Sequence, residues 1–110
     1  MIFDRLKKWR EAKGLDIIAY NKITQAGNIA EELSELLIAS DIEKQMDAFA
    51  DLIIYSINAV EMAGYNAESL LGEVIKEIEC REGVIIDGKF YKENAETYKA
   101  KIKECKRCQQ

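Results

Sequence analysis

Residues 28–37 read NIAEELSELL and place Glu31, Glu32 and Glu35 within about one turn of a helix. At 3.6 residues per turn Asn28, Glu31, Glu32 and Glu35 share one side. Ile29, Leu33, Leu36 and Leu37 form the apolar stripe, and Glu32 lies at its edge. Taken alone, such a face is compatible with solvated surface charge. The next segment changes the reading. DAFADLIIYSINAVEMAG is apolar almost all round the wheel, the pattern of a buried helix. Yet Asp47, Asp51 and Asn58 fall on one narrow line of it, with Tyr55 beside them. Carboxylates on a buried helix are costly unless paired or metal-bound. No lysine or arginine lies between Lys44 and Lys76 to pair with them locally.

Register brings the two acidic segments together. The connection at Ser40-Asp41 is very short, and short connections make antiparallel neighbours. Reflection about that turn sets Glu32 and Glu35 opposite Asp47 and Asp51. A cluster of oxygens without nitrogen or sulfur suits Mg²⁺ or Mn²⁺. Mg²⁺ keeps waters and binds substrate phosphates, so the cluster points to a nucleotide or another phosphorylated substrate.

Four elements must position these groups, and the spacing predicts four helices. They cover roughly 2–13, 17–39, 42–63 and 67–82, with breaks at Gly14, Ser40-Asp41, Gly64 and Gly83. Asn66 reads as an N-cap. Asp87-Gly88 between VII and KFY is a hairpin signal, and the tail from Asn94 is a candidate for a further short helix. The fold class expected is all-α: a four-helix bundle with a short hairpin or loop near the C-terminus. Length fits one domain over 1–110, with a core of about 2–92 and an extension over 93–110.

Composition excludes several classes. The chain has no histidine, so no Ser-His-Asp or Cys-His system and no histidine-rich zinc or di-iron site can form. Net charge of −4 argues against a nucleic-acid polymer as partner. No apolar run spans a membrane and no secretory signal opens the chain, so a cytoplasmic protein is expected. Cys105 and Cys108 form one C-x-x-C, too few ligands for structural zinc, and read with Cys80 as free thiols.

EELSE followed by DAFAD resembles the all-α nucleoside triphosphate pyrophosphohydrolases, the group of MazG-like enzymes, dimeric dUTPases and phosphoribosyl-ATP pyrophosphohydrolase. Their signature is E-E-x-x-E on one helix and an acidic pair ending in Asp on the next. Glu31, Glu32 and Glu35 match the first part, Asp51 the final aspartate, and Asp47 an acidic position four residues before it. QMDAFADLIIYSINAVEMAGYN, EVIKEIECREGVIIDGKFYK and LKKWREAKGL extend the similarity over about residues 5–92 to small phage-type members. The chain departs at Ala48, where many members have Glu, at Asn28, where many have Lys, and at Ile78, near a common Asn.

The resemblance implies Mg²⁺-dependent cleavage of a nucleoside triphosphate to the monophosphate and pyrophosphate. It implies metal ligands at Glu32, Glu35, Asp47 and Asp51, and catalytic carboxylates at Glu31, Glu35 and Asp47. Lys76, Arg81, Lys89 and Lys92 are the candidates for phosphate binding, against the plain reading of surface charge. Trp9, Asn28, Tyr55 and Asn58 are the candidates for base and sugar. Trp9 also fits the apolar spacing of the first helix and reads as core. The family implies a homodimer or homotetramer. The competing reading is a non-catalytic helical nucleotide-binding or protein-interaction module.

Overall fold

The computed structural model describes residues 1–81 and 83–92. Four helices and one hairpin account for most of them. The chain divides into two compact units, Met1–Gly64 and a second that begins at Tyr65.

In the first unit, α1 spans Ile2–Ala12 and closes at Gly14, whose φ of 72° is left-handed and favours glycine. A single 3₁₀ turn follows over Leu15–Ile17, and Ile18 is extended. Helix α2, Lys22–Ile38, therefore starts later than the expected residue 17. The cause is Asn21. Its side-chain oxygen accepts from the backbone N–H of Ile23 at 2.9 Å and of Thr24 at 3.2 Å. That satisfies donors the first turn cannot pair internally, and it outweighs the apolar spacing upstream.

Helix α3 spans Ile42–Met62 after a three-residue connection. Asp41 caps it, accepting from the backbone N–H of Lys44 at 2.8 Å. The Gln45 amide donates to the Ala39 carbonyl at 3.2 Å and ties the first turn of α3 to the end of α2. The two helices pack along one another as a helical hairpin. Ala48 and Ile57 are buried.

Helix α3 is not buried all round. Phe49 is 48% exposed and Ile53 60% exposed, as one partner helix and α1 leave the opposite side of α3 uncovered. Helix α1 also differs from expectation. Trp9 is 46% exposed instead of lying in the core, and Arg10 is buried in its place. Phe3, Leu6 and Arg10 follow i, i+3, i+7 spacing, and this line faces inward.

In the second unit, Asn66 caps α4 (Ala67–Glu79), accepting from the N–H of Ser69 at 2.9 Å. The helix ends at Glu79, short of the expected residue 82, and Gly83 begins a strand instead of closing the helix. Strands β1 (Gly83–Ile86) and β2 (Lys89–Lys92) pair antiparallel, with Ile86 opposite Lys89. Asp87 at φ 51° and Gly88 at φ 75° form the two-residue turn, the backbone that Asp-Gly favours in tight hairpins. The helix expected in the tail, with Cys105 and Cys108, lies outside the described residues. No helix among the described residues is long and apolar enough to cross a membrane.

Candidate functional site

The α2–α3 hairpin brings the acidic residues together. Glu32, at the edge of the apolar stripe of α2, is half-buried between the helices. Its Oε2 is shielded from solvent and has no hydrogen-bond partner among the described residues. Its pKa lies above the ordinary carboxylate value. Burial is the largest cause, followed by the neighbouring carboxylate of Glu35 and then that of Asp51. Glu32, Glu35 and Asp51 thus lie within interaction range, across the helix pair that the short turn requires.

Asp47 joins the group through Glu35. These two and Ala48 line a cavity of about 530 Å³ at the α2–α3 turn, with Ile38, Ala39, Ser40, Glu43 and Lys44. Ala48 is buried and forms part of the cavity wall. Glu35 belongs both to this cavity and to the group around Glu32.

Glu31 is exposed on α2 and Asn28 is half-buried. Tyr55 is at the border of exposure on α3. Asn58 is 9% exposed, and its Oδ1 accepts from Nη1 of Arg10 at 2.7 Å. Arg10, 5% exposed, also pairs with Glu61 at 3.5 Å. Asn58 therefore joins α1 to α3, and the oxygen proposed for base or sugar recognition is already engaged within the chain. Sequence spacing does not single out Arg10, because its partners lie 48 and 51 residues away along the chain. Its place in line with Phe3 and Leu6 was the available signal.

The basic candidates belong to the second unit. Lys76 pairs with Glu73 at 3.3 Å and Arg81 with Glu77 at 2.8 Å, both along the chain at helical spacing. Lys89 stands at the start of β2 and Lys92 at its end.

A divalent cation is the group that this donor set invites. Hard oxygens at Glu32, Glu35, Asp47 and Asp51 are the right type for Mg²⁺ or Mn²⁺, and the orphaned Glu32 Oε2 is an acceptor awaiting a donor or an ion. Among the described residues no three acidic or sulfur side chains are already gathered around one point as a metal-holding group. The chemistry of the donors fits a hard divalent cation. Comparison with family models, curated proteins and solved structures finds no match to the chain.

Proposed function

We propose that the chain is a Mg²⁺-dependent nucleoside triphosphate pyrophosphohydrolase of the MazG-like kind that its acidic segments resemble. The observation that carries this reading is Glu32, a half-buried carboxylate with an orphaned oxygen and two further carboxylates crowding it. Like charges held together in this way are unfavourable unless a proton or a cation neutralises them. Glu32, Glu35 and Asp51 would hold the ion, with Asp47 beside Glu35. Bound there, a divalent ion supplies charge neutralisation for the phosphate oxygens and lowers the pKa of bound water.

The chain's own residues supply the rest. A carboxylate, Glu31 or Asp47, takes the proton from the attacking water as its oxygen bonds to the α-phosphorus. The bridging α–β phosphate bond breaks and pyrophosphate leaves. Trp9, half-exposed, and Tyr55 have ring surface available for a base.

The exposed apolar residues of α2 and α3, including Leu33, Leu37, Met46, Phe49 and Ile53, fit a homodimer or homotetramer that covers them. The same surface is the specific support for the second reading, a helical module that binds a partner without catalysis. Mg²⁺ titration separates the two. The enzyme reading expects Mg²⁺ to bind, triphosphate turnover to depend on it, and Glu32→Gln to remove both. A protein that ignores Mg²⁺ and leaves every triphosphate intact returns the interaction module.

A further inference from the structure

On the pyrophosphohydrolase reading, we propose that the cavity at the α2–α3 turn receives the terminal phosphates of the substrate, and that Lys44 binds them. From Ile23 to Gly64 the chain carries eight carboxylates and one cation, Lys44. That cation lines the cavity together with Ser40 and three carboxylate residues, Glu35, Glu43 and Asp47. Carboxylates alone repel a polyphosphate, so a cavity that admits one needs a positive group of its own beyond the reach of a metal at Glu32 and Asp51.

Spacing places Lys44 for this task. Lys44, Asp47 and Asp51 are related as i, i+3 and i+7 and share one face of α3. The first and last are separated by about 10 Å along the axis, a span that an extended triphosphate bridges together with the reach of the lysine side chain. A chain with its α-phosphate beside Asp51 and Glu32 passes Glu35 and Asp47 and brings its terminal phosphates to Lys44. The ammonium is not locked elsewhere. Its Nζ stands 3.7 Å from Asp41 Oδ2, and both side chains are open to solvent. An exposed pair of this kind is weak and gives way at little cost. Lys76 and Arg81, by contrast, sit closer to partly covered carboxylates of their own helix and turn.

The test is calorimetric titration of inorganic pyrophosphate, with Mg²⁺ saturating, into the wild-type chain and the variants Lys44→Gln and Lys44→Arg. Mg²⁺ alone is titrated in parallel, and thermal unfolding is recorded for each protein. Loss of a charge-assisted contact predicts pyrophosphate affinity at least about tenfold weaker in Lys44→Gln. Lys44→Arg should stay close to wild type, and Mg²⁺ affinity should be unchanged in both. Equal pyrophosphate affinity in wild type and Lys44→Gln overturns the assignment, and a lowered melting temperature with unchanged affinity reduces Lys44 to a counter-ion of the Asp41 cap. Either result leaves the enzyme reading intact if the wild type still releases pyrophosphate from a triphosphate. A wild type that neither binds pyrophosphate nor releases it overturns both.

Discussion

Glu32 concentrates the account at the scale of one residue. Its folded-state pKa is raised by burial and by Glu35 and Asp51, so the native chain holds the proton more tightly than the unfolded chain. Stability linked to this group is therefore present at low pH. It is lost as pH rises from the ordinary carboxylate range through the raised value. Glu32→Gln should flatten that part of the stability–pH curve and raise the melting temperature of the metal-free protein at neutral pH. Thermal unfolding across pH with a chelator present checks this. Mg²⁺ should then stabilise the wild type by mass action and leave Glu32→Gln unmoved. A substitution that stabilises the fold while removing the activity is the signature of a strained functional carboxylate. The convergence of Glu32 with Glu35 and Asp51 was legible from wheel and turn alone. Arg10 was not, because a cation 48 and 51 residues away in sequence leaves no periodic trace near its partners Asn58 and Glu61.

At the scale of elements, caps and one buried clasp decide where helices begin and what α1 holds. Asp41→Ala removes the N-cap of α3 and should cost about 1 kcal/mol in urea unfolding. Arg10→Ala strips a buried hydrogen bond and an ion pair and removes the donor that Asn58 Oδ1 accepts from. It should cost about 2–4 kcal/mol, well above any exposed lysine or arginine of α1. Helix existence and the Asp-Gly hairpin were readable because periodicity and turn chemistry are local. The start of α2 at Lys22 was missed because the Asn21 cap competes with an apolar pattern that continues upstream of it. The end of α4 at Glu79 was missed because Gly83 serves the strand and not the helix.

For the whole molecule, the apolar wheel of α3 overstated burial within one chain. Phe49 and Ile53 belong to that apolar wheel, and both stand exposed in the single chain. The sequence records that a surface is apolar, but not whether the same chain or another covers it. On the oligomer proposed above, Phe49→Asp together with Ile53→Asp should yield a folded monomer by sedimentation, with helical circular dichroism retained. An unchanged association state would place the contact elsewhere.

Product identity tests the central claim most directly. The purified chain is incubated with Mg²⁺ and a panel of canonical and modified ribo- and deoxyribonucleoside triphosphates, and pyrophosphate and phosphate are measured separately. The account predicts pyrophosphate without free phosphate from at least one triphosphate, with the signal lost in Glu35→Ala. Free phosphate as the product, turnover that survives Glu35→Ala, or no product from any nucleotide under Mg²⁺ and Mn²⁺ alike would contradict it.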